Sequence, residues 1–239
     1  MGIAPRSAPR REKARAATIE EIKRTALALM REHGTVDLKF ADIARAMDMT
    51  PPALYRYFAD RDALLSELIT DAYDDLGDAV AKARDALPAD DIGGRFMAVA
   101  QGYRHWAREQ PQQFALILGL PVKGYTAPED GPTTEAAQRA MSQLSALFVE
   151  ALAAGRLSPP RLREVHPSII VCAELKSREL PVAIPAETFQ AMLHAWSALH
   201  GFASLEAYGH LAWIDEAGRD ALFESHARLT AENAGLPLH

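Results

Sequence analysis

The sequence predicts an all-α chain in two parts, a small N-terminal helix-turn-helix unit and a larger helical bundle behind it. Three observations carry this. Apolar residues recur at spacings of three and four through most of the chain, and nowhere do they alternate with period two for long enough to need a sheet. Prolines and glycines interrupt those periods at helix-length intervals. Charge is also divided: the first 61 residues hold 12 Lys and Arg against 8 Asp and Glu, whereas the remainder hold 14 against 24. A basic head on an acidic body reconciles a net charge of −6 with a polyanionic partner, because affinity for phosphates depends on local cations.

Residues 1–17, rich in Arg, Ala and Pro, lack an apolar period and read as a flexible basic arm. Arg6, Arg10, Arg11, Lys13 and Arg15 in it would either contact nucleic acid or simply keep the tail soluble. Thr18 followed by Glu21 fits a capping box that opens the first helix. Ile19, Ile22, Ala26, Leu27 and Met30 then hold one face, and Gly34 supplies a left-handed stop. Phe40, Ile43, Ala44 and Met47 mark a short second helix. Asp48-Met49-Thr50 breaks it, and Thr50-Pro51 starts a third, with a capping hydroxyl and then a proline that needs no N–H in the first turn. Leu54 and Phe58 face inward. Asp60 caps a long fourth helix along Leu64, Leu65, Leu68, Ile69, Ala72 and Leu76.

Further helical segments run over 92–109, 112–118, 134–154, 168–178, 186–211 and 215–233, separated by prolines that include Pro111, Pro167, Pro181 and Pro185. Residues 122–133 read as a loop. The resulting divisions are an arm at 1–17, a helix-turn-helix domain at 18–62 and a helical domain at 63–239.

Two short helices joined by a tight turn form a unit that can enter a DNA groove. Its outward residues are Tyr55, Arg56 and Tyr57: phenols that donate to phosphate, and a guanidinium that reaches phosphate or forks onto guanine. Ala53 would sit near a base edge.

From Phe40 to Leu64 the chain reads Phe40-Ala-Asp-Ile-Ala-Arg-Ala-Met-Asp-Met-Thr-Pro-Pro-Ala-Leu-Tyr-Arg-Tyr-Phe-Ala-Asp-Arg-Asp-Ala-Leu64. This resembles the signature of the TetR family of transcriptional regulators. The resemblance implies that Tyr55 and Tyr57 contact backbone or bases, that Thr50, Pro51, Pro52 and Ala53 open the reading helix, and that Arg61 binds phosphate. With Lys39 and Phe40 at the start of the second helix, these form the candidate DNA-contacting set. Two positions depart from the family pattern, Asp48 where glycine usually makes the turn and Lys39 where a hydroxyl usually caps. Aspartate tolerates the left-handed region, and Lys39 gives up a cap but could reach phosphate.

Farther on, Trp196-Ser-Ala-Leu-His200-Gly201 resembles a tryptophan, histidine and glycine pattern of one C-terminal subgroup of TetR regulators. Trp196 and His200 share a helix face, and Gly201 would admit a close neighbour, so the three are candidates for core or dimer-interface packing or, alternatively, ligand contact. Trp106, Phe114, Phe148, Cys172 and Trp196 are candidates for an effector pocket, with simple core packing as the other reading. Cys172 is the only cysteine, which excludes an intrachain disulfide, and it is expected to be a buried small hydrophobe.

His105, His166, His194 and His200 lack the spacing of a paired metal site, and no cofactor is expected. No stretch approaches the length of a bilayer span, the longest apolar run being 114–122, so a cytoplasmic protein without membrane contact is expected. The resemblance implies a homodimer pairing segments 186–211 and 215–233, a palindromic double-stranded operator and a small-molecule effector that releases it. A ligand-dependent activator, or a regulator requiring a co-repressor, is the alternative. An enzyme or carrier is the remote one, since no paired carboxylates, nucleophile elbow or phosphate loop is present.

Overall fold

The computed structural model describes residues 8–128, 130–178 and 182–238. Residues 1–7 of the expected arm, with Arg6, lie outside the described residues, as does Pro181. Among the described residues there are ten α-helices and no strand: α1 (Ala8–His33), α2 (Phe40–Ala46), α3 (Pro51–Leu54), α4 (Arg61–Asp85), α5 (Ile92–Glu109), α6 (Pro111–Leu118), α7 (Pro132–Ala153), α8 (Pro167–Ser177), α9 (Ala186–Ala207) and α10 (Glu216–Asn233). No described helix is long and apolar enough to cross a membrane.

The start of α1 corrects the expectation of a loose arm. The helix begins at Ala8, ten residues before Thr18, because residues 8–17 are mostly Ala, Arg, Lys and Glu, which favour helix even without a face to bury. Pro9 falls in the first turn, where its missing N–H costs nothing. Thr18 is therefore inside the helix, and its hydroxyl donates back to the Ala14 carbonyl at 3.1 Å instead of capping. Gly34 ends α1 in the left-handed region at φ 63°.

Two compact units result. The first comprises the chain up to Tyr73 together with Gln112–Ala136. Its core is built from Ile22, Met30, Ile43, Leu54, Phe58, Leu64, Leu65 and Leu68, each almost wholly buried. Leu116 of α6 and Val122 just beyond it belong to the same cluster. The small head is thus completed by a segment about sixty residues downstream of α3. Tyr73 donates to the Ile117 carbonyl at 3.2 Å, and the Ser66 and Tyr125 hydroxyls lie 3.0 Å apart. Segment 122–133, expected to be a loop, begins as part of this core at Val122.

The second unit comprises Asp74–Pro111 and the chain from Ala137 onward. Phe96, Tyr103, Trp106, Leu147, Phe148, Leu199, Phe202 and Phe223 are buried in it. A Cβ added at Gly102 would stand 2.8 Å from the Ala83 Cβ, so glycine is what lets α5 lie this close to α4. Asp91 and Asp215 cap α5 and α10, accepting from the Gly94 and Gly218 amides at 2.8 and 2.7 Å.

Candidate nucleic-acid interface

The candidate DNA-reading face is assembled by α2, the turn after it and α3. The turn works as the sequence implies: Asp48 sits at φ 50°, the only non-glycine with positive φ among the described residues. Lys39 makes no side-chain cap to α2, as expected. Thr50 does not cap α3 either, contrary to expectation; Pro51 occupies the first turn, and the backbone Ala53 N–H bonds to the Thr50 carbonyl at 2.9 Å. α3 is only four residues long, held by Leu54 and Phe58 plugged into the core.

On the outside, Lys39, Thr50, Pro51, Pro52, Tyr55 and Arg56 are exposed, and Ala53 and Tyr57 are half-buried. Tyr55 is 54% exposed although it is aromatic, and its ring leans on Phe40, with centroids 5.1 Å apart. Phe40 itself is buried, which corrects its place among the contact residues: it is the platform under Tyr55 and has no free face. Tyr57 packs one side against the head core. Arg15 of α1 stands over the other part of the ring, its guanidinium carbon 5.3 Å from the centroid, and donates to the Arg56 carbonyl at 2.9 Å.

Arg61, expected to reach phosphate, is instead turned into the protein. Its Nε donates to the Leu38 carbonyl at 2.9 Å, Nη2 to the Asp37 carboxylate at 2.8 Å and Nη1 to the Lys123 carbonyl at 3.4 Å. It ties the segment entering α2, the start of α4 and the stretch after α6 into one clasp. Lys23, to which the sequence drew no attention, is a second such tie: almost buried, it pairs with Asp71 at 2.6 Å and Glu20 at 2.7 Å. Burial works against its charge, but the hydrogen bonds and charges of Asp71 and Glu20 outweigh that and raise its pKa.

The five candidate pocket residues are not gathered around one cavity. Phe114 belongs to the first unit and the other four to the second. Trp106 is buried with its indole N–H on the Asp75 carboxylate at 2.9 Å, and Phe148 packs edge-on to Phe96. Cys172 is exposed on α8, correcting the expected burial: of that helix, only Ala173 is buried. An open groove of about 470 Å³ instead lies among Pro160, Leu162, Ala191, His194, Ala198 and Thr230, and none of the five lines it.

The Trp196, His200 and Gly201 pattern splits by face. Trp196 stacks on His200 and meets Tyr103 edge-on, and the Tyr103 hydroxyl lies 2.9 Å from His200 Nδ1. Burial lowers the His200 pKa and raises that of Tyr103. Gly201 faces the other way, with no heavy atom within 4 Å of where a Cβ would be. Below this lies a pair that sequence reasoning missed. Arg104 forks onto Glu206 through two contacts of 2.6 Å, with Asp220 at 2.9 Å and the Phe223 ring under the guanidinium, which joins α5, α9 and α10. The partners are 102 residues apart, so no local pattern links them.

A model of the bacterial regulatory proteins of the TetR family matches residues 22–68, and a model of the tetracyclin-repressor-like C-terminal domain matches residues 96–229. The HTH-type transcriptional regulator Rv1816 of Mycobacterium tuberculosis is 42% identical over 124 residues, 52% of this chain and 51% of that protein; Mb1846 of Mycobacterium bovis matches equally. The match thus spans about half the length of these curated relatives. Among solved structures, the regulatory protein SCO4313 is 33% identical, with a TM-score of 0.71 over 95% of this chain and 98% of that one. The TetR family regulator PfmR of Thermus thermophilus shares the fold at 17% identity, with a TM-score of 0.57 over 87% of this chain and 96% of that one. The chain belongs to the TetR family of transcriptional regulators.

Proposed function

We propose that the protein is a homodimeric repressor that reads a palindromic operator with α3 and leaves it when a small-molecule effector binds the second unit. The observation that carries the DNA reading is Tyr55, an aromatic ring held on the Phe40 platform yet more than half exposed, ringed by the exposed Lys39, Thr50, Pro51, Pro52 and Arg56. A ring fixed at low entropy and open to one side is suited to sugar and thymine contacts, and the flanking cations to phosphates.

Two stripes support dimerisation. Leu193, Ser197, Gly201 and Leu205, four apart on α9, are exposed or half-exposed, as are Leu222 and Leu229 on α10. The open space over Gly201 leaves room for another helix, and paired α9 and α10 stripes from two copies would bury these leucines. Effector release then follows if the ligand favours a head spacing that no longer matches two half-sites.

Fluorescence anisotropy with DNA from upstream of the protein's own coding region tests the reading across a salt series. Wild type should bind with a steep salt dependence, and Tyr55→Ala should lose roughly tenfold or more in affinity. Binding unchanged in Tyr55→Ala would overturn this reading face. Light scattering in solution should give twice the chain mass, and a monomer at micromolar concentration would refute the dimer.

A further inference from the structure

We propose that residues 8–17, the N-terminal extension of α1, form a second DNA-contacting element in which Arg15 locks the extension onto the recognition helix and Arg11 reaches the phosphate backbone beside it. This rests on the reading of α3 as the DNA-contacting helix. The extension is an integral part of α1, so its side chains have a register. In a helix, residues four apart share a face, and the face that carries Ile22 into the head core runs back through Thr18 or Ile19 to Arg15 and then to Arg11.

At Arg15 that face meets the reading unit directly. Its Nη1 donates to the Arg56 carbonyl at 2.9 Å, and its guanidinium lies over the Tyr57 ring at 5.3 Å. The carbonyl belongs to the turn that follows a four-residue helix, where no further helical turn is there to take it up. One planar group therefore fixes both the end of α3 and one of its aromatic rings, a fit that lysine's compact ammonium, lacking the planar fork, reproduces poorly. Arg15 is a positioning residue.

One turn further out, about 6 Å along the axis, Arg11 continues the same face with its side chain exposed. Arg10 and Lys13 flank it, and Glu12 is the only acid in residues 8–17. Because Arg15 holds this stretch against the reading unit, the cations of the extension are presented on the side where the duplex would lie. A polyanion passing along α3 would meet them, and each phosphate neutralised would release counterions.

The test uses full-length protein, the same upstream duplex and a mixed-sequence duplex of equal length, with binding followed against salt. For Arg11→Ala we expect the slope of log affinity against log salt to fall by about 0.9 on both duplexes, with Arg11→Lys restoring it. For Arg15→Ala we expect an unchanged slope but a roughly tenfold smaller preference for the upstream duplex, not rescued by Arg15→Lys. Both side chains are exposed, so unaltered circular dichroism melting should accompany each variant. If Arg11→Ala leaves the slope intact while Tyr55→Ala still weakens binding, the extension is a solubilising helix and this proposal is wrong although the reading of α3 survives. If Tyr55→Ala also binds like wild type, or wild type shows no preference between the duplexes, the reading of α3 has failed and the proposal falls with it.

Discussion

The two units place their polar chemistry on opposite sides of the surface. In the first, the distinctive groups point outward: Tyr55, Arg56 and Lys39 stand exposed over an apolar core. In the second, the distinctive groups point inward. Arg104 with Glu206 and Tyr103 with His200 are contacts between residues about a hundred positions apart, all on helices packed against one another. Substitution in the first should therefore cost affinity and spare stability, and substitution in the second should do the reverse.

The largest expected effect breaks the inward set. Arg104 and Glu206 are nearly buried, with side chains 4% and 7% exposed, so removing one partner leaves the other its secondary contact alone, Asp220 at 2.9 Å for Arg104 and Arg219 at 3.5 Å for Glu206. Arg104→Met or Glu206→Gln should each cost about 3 kcal/mol or more in urea denaturation. The double replacement by apolar residues should recover much of that loss. A single variant as stable as wild type would mean that the secondary partner, Asp220 for Arg104 or Arg219 for Glu206, already satisfies the remaining charge.

Arg61 sharpens the comparison, because it sits at the DNA-reading unit yet is bonded inward. Arg61→Ala should lower stability by about 1–2 kcal/mol, in the range of lost hydrogen bonds to a charged group. Arg61→Ala and Asp37→Asn, which break the same clasp, should both weaken DNA binding with the salt slope unchanged. A phosphate role for Arg61 predicts otherwise: the slope would fall by about 0.9 in Arg61→Ala, and removing the Asp37 charge would strengthen binding.

A smaller effect follows from His200. Burial holds its imidazole below the ordinary histidine value, so the unfolded chain takes up the proton first as the solution is acidified. The contribution of this group is full above about pH 6.5 and is lost as the pH falls through that value toward its folded pKa. His200→Gln should flatten the decline in melting temperature between about pH 6.5 and 5. An identical decline in the variant would place the acid sensitivity elsewhere.

The smallest effect is at Asp48. At φ 50° a non-glycine residue is strained, so Asp48→Gly should leave the turn in place and stabilise the head by up to about 1 kcal/mol. Destabilisation would show that the aspartate side chain holds the turn.

Much of the head was legible in the sequence because its signals are local. The cap at Asp60, the stop at Gly34, the left-handed turn at Asp48 and the plug of Leu54 and Phe58 each depend on a few consecutive residues. The start of α1 was missed for a related reason. Periodicity detects a helix by the face it buries, and residues 10–17 are all exposed, so only propensity marks this stretch as helical. Cys172 misled because side-chain type predicts burial only on average.

The sequence by itself determined the all-helical class, the order of the helices and the residues that turn the chain into α3, since hydrogen bonds and side-chain faces within one helix are set by spacings of three and four. Only the tertiary structure decided that α6 completes the core of the head, that Arg61 is a clasp, that Phe40 is a platform and that Arg104 finds Glu206. Those outcomes depend on which faces meet once the helices pack, and contacts between residues tens to a hundred positions apart leave no period for a sequence to display.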